Sequence, residues 1–234
     1  MTKLLIVTGG SQGIGLAAAE RFQAEGYQVV NISRRPTPLQ NAIHIGADMA
    51  QLDWLQACRQ QLLELVANAS EVVLLHNAAR QEFDKVTDLA ADNFRHVLQI
   101  NLVAPQELNR LLIPEMKRGS AVIYIGSTLS EKAVAGTTSY VASKHAVIGL
   151  MKATVQDLNG KGIHSACVCP GFTDTDMLRS QIGGNQEVLA AITGMVTQGR
   201  LISPVEIADS IWFCATNPVI NGSVIHANLG QVEN

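Results

Sequence analysis

The strongest constraint in this chain is an alternation. Short apolar runs of strand character are each separated by a single stretch of helical pattern, from the first residues almost to the last. Residues 3–8 read as a strand and 13–25 as a helix closed by Gly26. Residues 27–33 and 42–46 form the second and third strands. Leu52, Leu55, Leu62, Leu65 and Val66 recur at helical spacing, which predicts a helix over 51–68. A fourth strand at 71–75 precedes a long helix over 90–117, interrupted near Pro105. A fifth strand at 121–126, a helix at 138–158 and a sixth strand at 163–169 follow. Ser203-Pro204-Val205-Glu206 combines a capping box with proline at the first helical position, and a last strand falls near 223–227.

Strands separated by single helices imply right-handed crossovers and a parallel sheet with helices on both faces. Leu4-Leu5-Ile6-Val7 is apolar at successive positions, as a strand covered on both sides must be. The expected fold is α/β, a single doubly wound Rossmann domain over 1–234 with a seven-stranded parallel sheet. No linker, repeat or low-complexity stretch divides the chain. Residues 172–200 carry no clear pattern and follow the sixth strand, where ligands of such sheets bind, so they are expected to act as a substrate lid.

Composition narrows the function. With 47% hydrophobic and 16% charged residues the chain is not disordered, and with 4% aromatics its core must be mainly aliphatic. The net charge of −3, with no basic run beyond Arg34-Arg35, argues against nucleic acid and anionic membrane surfaces as partners. The apolar run at the N-terminus ends in glycine too early for a secretory signal, and no segment approaches the ~18 apolar residues of a membrane span. Cys58, Cys167, Cys169 and Cys214 are too few and scattered for a disulfide framework. Cys167 and Cys169 share one face of a strand without further metal ligands nearby. Reduced, buried thiols and a cytoplasmic location are expected.

Between the first strand and first helix lies Thr8-Gly9-Gly10-Ser11-Gln12-Gly13-Ile14-Gly15. Glycines there permit a tight turn and let backbone N–H groups approach a pyrophosphate at the helix N-terminus. The spacing departs from Gly-x-Gly-x-x-Gly, and elsewhere such a match could be an ordinary turn; its position after an opening strand favours a dinucleotide. The second strand ends in Ser33-Arg34-Arg35, and no acidic residue occurs between Glu25 and Asp48. An NAD site places an acid there for the ribose hydroxyls, whereas an arginine accommodates a 2′-phosphate. The pair can also be a solvated loop, but the missing acid favours NADP(H), with NAD(H) the alternative. Ser33, Asp48 and Met49 join the residues expected to face the cofactor.

Tyr140 and Lys144 stand four apart and project from one helix face. Alone the pair is commonplace. It gains meaning from Ser127 after the fifth strand, Asn101 just before Pro105, and Asn77 at the end of the fourth strand. Together, in this order along essentially the whole chain, these features resemble the short-chain dehydrogenase/reductase family. The turn from Thr8 to Gly15 resembles its cofactor motif, and Asn77-Ala78-Ala79 its Asn-Ala-Gly motif with alanine in the last place. Asn101, Ser127, Tyr140 and Lys144 match its catalytic tetrad. Pro170-Gly171 with Thr173 resembles the segment that contacts the nicotinamide carboxamide, and Gly199-Arg200 with Pro204-x-Glu206-Ile207-Ala208 its closing helix. The stretch from Pro170 to Met177 is most similar to 3-oxoacyl-acyl-carrier-protein reductases. Asn228-Leu229-Gly230 departs from the Asp-Gly-Gly often found in relatives.

The resemblance implies hydride transfer between a nicotinamide and a carbonyl or alcohol. Tyr140 is the expected proton donor, with its anion stabilised by the Lys144 ammonium, which also reaches the nicotinamide ribose. Ser127 orients the carbonyl, and Asn101 holds a water leading from Lys144 to solvent. Two other classes fit less well. A non-catalytic redox sensor would not need Tyr140 with Lys144, and a methyltransferase leaves Ser127, Tyr140 and Lys144 unexplained. A Ser-His-Asp hydrolase lacks its Gly-x-Ser-x-Gly elbow. Arg80, Phe83, Leu129, Val134, Phe172, Met177 and Met195 are the expected substrate walls. His44, His145, His164 and His226 receive no role. Apolar residues on several faces of the 138–158 helix imply a homo-oligomer, a tetramer or dimer.

Overall fold

The computed structural model describes residues 2–232. Its seven strands are β1 (Thr2–Thr8), β2 (Gln28–Ser33), β3 (Ile43–Gly46), β4 (Ala69–His76), β5 (Ala121–Ile125), β6 (His164–Pro170) and β7 (Val224–Ala227). They form one sheet in the order β3-β2-β1-β4-β5-β6-β7, with every pairing parallel. The expected doubly wound α/β fold is the observed one.

The alternation of side chains along a strand explains the two layers. Leu4 and Ile6 of β1 enter the core on one face, and Leu5 and Val7 the core on the other. The first face is covered by α2 (Arg59–Asn68), α4 (Ala104–Leu112) and α5 (Thr138–Asp157), which insert Leu62 and Val66, Leu108 and Leu112, and Val147 and Met151. The second is covered by α1 (Gly13–Ala24) and α8 (Pro204–Thr216). Ala17, Ala18 and Ala19 bring α1 close to the sheet, while Phe22, Tyr27 and Trp212 meet edge to face at its far end. Each fully buried aliphatic side chain contributes roughly 1.5–3 kcal/mol. Ser203 caps α8 as its sequence predicts, with Glu206 accepting from the Ser203 amide in return.

Two expectations need correction, and a third, the interruption near Pro105, is met in detail. The helix expected over 51–68 is regular only from Arg59. Before it the chain turns through short-range bonds, Gln51 N to Asp48 O and Gln56 N to Asp53 O, and the Asp48 carboxylate accepts from Ala50 N. Leu52 is 82% exposed, while Trp54, Leu55 and Cys58 fill the core instead. The long helix is broken before Pro105: α3 (Ala91–Leu98) runs into a wide turn, Gln99–Val103, in which Ala104 N reaches back to Gln99 O. Pro105 cannot donate to the Asn101 carbonyl four residues earlier, so the break is written into the backbone chemistry. Finally, residues 172–200 contain two helices, α6 (Asp176–Ile182), capped by Thr175, and α7 (Gln186–Gly194), capped by Asn185. Neither contributes a fully buried residue, and at seven and nine residues neither is long enough for its apolar spacing to stand out in the sequence.

All four cysteines are buried and free, with Cys167 and Cys169 Sγ atoms 3.9 Å apart on one face of β6. Among the described residues no cluster suits a metal ion, and no helix is long and apolar enough to cross a membrane.

Candidate active site

Strand order decides where the crevice opens. The crossovers run outward from β1 in both directions, through β2 to β3 and through β4 to β7, which separates the loops at the carboxyl ends of β1 and β4. A cavity of about 1080 Å³ lies there. It is at the upper end of the ~300–1,000 Å³ that single-ligand pockets occupy, large enough for a cofactor and substrate together.

The glycine turn forms one end. Gly9 lies at φ +71, the left-handed region glycine favours. A Cβ on Gly15 would sit 2.3 Å from the Gly9 carbonyl oxygen and 2.4 Å from Asn77 Nδ2, so α1 begins where no side chain fits. Two side-chain amides hold this shape, Asn31 buried and Asn77 half-buried. Asn31 Oδ1 in β2 accepts from Gly10 N at 2.8 Å, and Asn77 Nδ2 donates to the carbonyls of Thr8 and Gly9 at 2.9 and 3.1 Å. Asn31 escaped the sequence reading; an asparagine inside an otherwise apolar strand is the signal that could have found it.

Gly9, Ser11, Gln12, Gly13, Ile14 and Gly15 line the cavity, as do Ser33, Arg34 and Arg35, then Asp48 and Met49. Thr8 does not. It is buried behind the turn, where its Oγ1 accepts from the amides of Asn77 and Ala78 at 3.0 Å each. It fastens β1 to the end of β4 instead of facing a ligand. The Arg35 guanidinium donates to the Gln12 side chain. Asn77, Ala78 and Ala79 line the cavity from β4. Ala79 keeps a negative φ, so the methyl group in place of glycine carries no backbone strain. Leu229, by contrast, sits at φ +52, in the left-handed region that glycine favours.

Ser127, Tyr140 and Lys144 all line this one cavity. Ser127 Oγ caps the short turn Thr128–Ser130 by accepting from Leu129 N at 3.1 Å, which leaves its hydroxyl proton to donate elsewhere. Lys144 is 3% exposed, with its ammonium 5.5 Å from the Tyr140 ring centroid. Its Nζ donates to the Ile125 carbonyl at 2.8 Å, a partner the sequence did not suggest.

Asn101 is tied to protein partners. It is buried and does not line the cavity. Its Oδ1 accepts from Arg80 N at 2.7 Å, and its Nδ2 donates to Arg80 O at 2.9 Å and Ser143 Oγ at 2.9 Å. The side chain thereby clamps the loop after β4 to helix α5.

The other half of the cavity is formed as expected by Arg80, Phe83, Leu129, Val134, Phe172, Met177 and Met195, with Pro170, Gly171 and Thr173 at the junction. Phe83, Val134, Met177 and Met195 are all exposed, giving the mouth an apolar rim of the kind that marks a ligand groove. The Arg80 guanidinium is engaged by Glu82 and His96.

Comparison with known proteins converges on the same chemistry. Residues 3–185 match the family model described as short chain dehydrogenase. Over 232 residues the chain is 31% identical to carbonyl reductase family member 4 of Xenopus tropicalis, covering 96% of each. It is 29% identical to a 3-oxoacyl-[acyl-carrier-protein] reductase of Salmonella typhimurium, covering 98% of this chain and 97% of that one. Thermoplasma acidophilum aldohexose dehydrogenase superposes with a TM-score of 0.89 at 27% identity, covering 98% and 93% of the two chains. A blue fluorescent protein from a metagenomic library, solved with NADPH, gives 0.85 at 27% identity and 97% coverage of both. With a cleft at the switch point lined by the serine, tyrosine and lysine, and a family model matched over most of its length, the chain belongs to the short-chain dehydrogenase family of oxidoreductases.

Proposed function

We propose that the protein is an NADP(H)-dependent reductase of a partly apolar carbonyl compound, reversible in principle. The observation that carries the reading is the meeting of Ser127, Tyr140 and the buried Lys144 in one cleft, between a glycine turn and an apolar mouth.

The residues present suit the cofactor. The amides of the turn from Gly9 to Gly15, at the N-terminus of α1, would hold the pyrophosphate, and Asp48 and Met49 would flank the adenine half. Arg34 would meet a 2′-phosphate, because the Arg35 guanidinium is already engaged by Gln12. NAD(H) is the alternative. When bound, the nicotinamide supplies or accepts the hydride.

The chain's own part is to orient the substrate and move the proton. Ser127, its lone pair used by Leu129 N, donates to the carbonyl oxygen and shares its developing charge. Tyr140 delivers a proton to that oxygen as the carbonyl carbon is reduced. The positive charge of Lys144 stabilises the phenolate left behind. To reach a cofactor ribose as well, Lys144 must exchange or share its bond to the Ile125 carbonyl. Asn101 acts as a positioning residue through Arg80 and Ser143. Residues 172–200, with α6 and α7, close over the cleft as a lid.

The test is loss of NADPH absorbance at 340 nm across a panel of ketones, cyclic carbonyls and a 3-oxoacyl thioester. Tyr140→Phe should lower kcat/KM by about 10²–10⁴ while leaving NADPH affinity within a few-fold. NADPH binding without turnover of any carbonyl would favour the sensor reading, and full activity in Tyr140→Phe would overturn the assignment of the proton donor.

A further inference from the structure

The N-terminus of α5, which carries Tyr140, is not capped by its own sequence. Thr137 precedes the helix, yet its hydroxyl is turned away to the Val134 carbonyl at 2.8 Å, and the first turn holds no acidic residue. The first amides of a helix have no partner within it and must find one elsewhere. Here they find it on a single residue 55 positions away, Asp84, in the loop after β4.

Asp84 engages this helix start with both its backbone and its carboxylate. Its carbonyl accepts from Thr138 N at 3.3 Å, and its amide donates to the Gly136 carbonyl at 3.0 Å. Oδ1 accepts from Ser139 N at 2.9 Å, and Oδ2 accepts from the Ser139 hydroxyl. Ser139 is fully buried and immediately precedes Tyr140. The carboxylate also meets the positive end of the helix dipole. We propose that Asp84 is a positioning residue for the reaction: as the tertiary cap of α5 it fixes the Ser139 backbone and, through it, the place of the Tyr140 hydroxyl in the cleft.

The loop that bears Asp84 gives the cap a second consequence. Residues 80–83 line the substrate side of the cavity. The loop is clamped to the catalytic elements at both ends, by Asn101 on the Arg80 backbone and by Ser139 on Asp84. A substrate that shifts Phe83 therefore acts on the next residue, which holds the start of α5.

The inference rests on Tyr140 as proton donor, so the test is a double-mutant cycle on NADPH-dependent turnover. Asp84→Ala should lower kcat about tenfold or more at saturating substrates, since small misplacements of a reacting group are costly, with NADPH Kd unchanged within about threefold. In a Tyr140→Phe background the same substitution should cause no further loss, because there is no hydroxyl left to position. Asp84→Asn, which keeps one acceptor oxygen, should fall between wild type and Asp84→Ala. If Asp84→Ala does not fold, Ser139→Ala is carried through the same cycle. Wild-type kcat in the Asp84 or Ser139 variants, or losses that multiply with Tyr140→Phe, overturn the proposal. Full activity in Tyr140→Phe itself overturns the proton-donor reading instead.

Discussion

His76 ends β4 fully inside the protein and should make acid stability depend on one imidazole. Its Nε2 lies 2.8 Å from the Asn109 carbonyl oxygen, so Nε2 carries the proton and donates it. Asn109 in turn donates to Tyr124 Oη at 2.5 Å, and Tyr124 pairs with Thr154 at 2.9 Å. Nδ1 is buried with no partner, so a second proton there would place an unpaired charge in the core. Burial is the main cause that lowers the His76 pKa to about 4, opposed by the Asn109 bond. The unfolded chain titrates near ~6.5, so between these values the unfolded state binds the extra proton and the folded state does not. Stability is therefore present above pH ~6.5 and falls as pH drops toward 4. A gap of about 2.5 units at ~1.36 kcal/mol each gives a full loss of about 3 kcal/mol, of which about 2 kcal/mol is already lost at pH 5. Urea unfolding of wild type and His76→Asn at pH 7 and pH 5 isolates this term, because the other titrating groups cancel in the difference. The variant should be less stable at pH 7 and lose about 2 kcal/mol less than wild type on acidification. Parallel losses in both proteins would refute the assignment of the acid term to His76.

Arg34→Ala should erase most of an NADPH preference of roughly tenfold to a hundredfold, the worth of a charge-assisted bond of about 1.5–3 kcal/mol, as read by Kd for NADPH and NADH; tighter NADH binding by wild type would count against it. Gly15→Ala forces a methyl group to within 2.3 Å of the Gly9 carbonyl, so it should weaken NADPH binding by at least about tenfold and cost about 1–3 kcal/mol of stability; titration and thermal unfolding with wild-type values would show that the turn yields freely.

What the sequence displays and what it hides divide along a physical line. Buried strands advertise themselves because both faces need apolar residues, as in β1, and Pro105 announces a break because its missing N–H acts locally. Helices α6 and α7 are only seven and nine residues long, too short for apolar spacing such as Val188, Ala191 and Ile192 to stand out. Leu52 matches the helical spacing but is exposed, since the aspartates around it satisfy the turn before a helix can form. At the site, Ser127, Tyr140 and Lys144 were legible because they stand in a fixed order with Asn77, Asn101 and the glycine turn along the chain, each at the end of a strand or on a helix. The partners of those residues were not legible. Lys144 with Ile125, Thr8 with Ala78, Asn101 with Arg80 and Asp84 with Ser139 are meetings that only the tertiary fold arranges.

The hold of Asn77 on the glycine turn has a consequence for folding. The motif looks local, eight residues running from the last of a strand into the first turn of a helix, yet its carbonyls are fixed by a side chain 69 residues further along. A fragment ending before β4 would contain every glycine of the motif and still lack its shape. Cofactor affinity is therefore acquired only when β4 has docked against β1, and the ligand selects the assembled sheet over any partly folded form. At a hundred times its dissociation constant a ligand of this kind adds about 2.7 kcal/mol to the native state. A bound nicotinamide cofactor would then add to the stability of the folded sheet as well as take part in turnover.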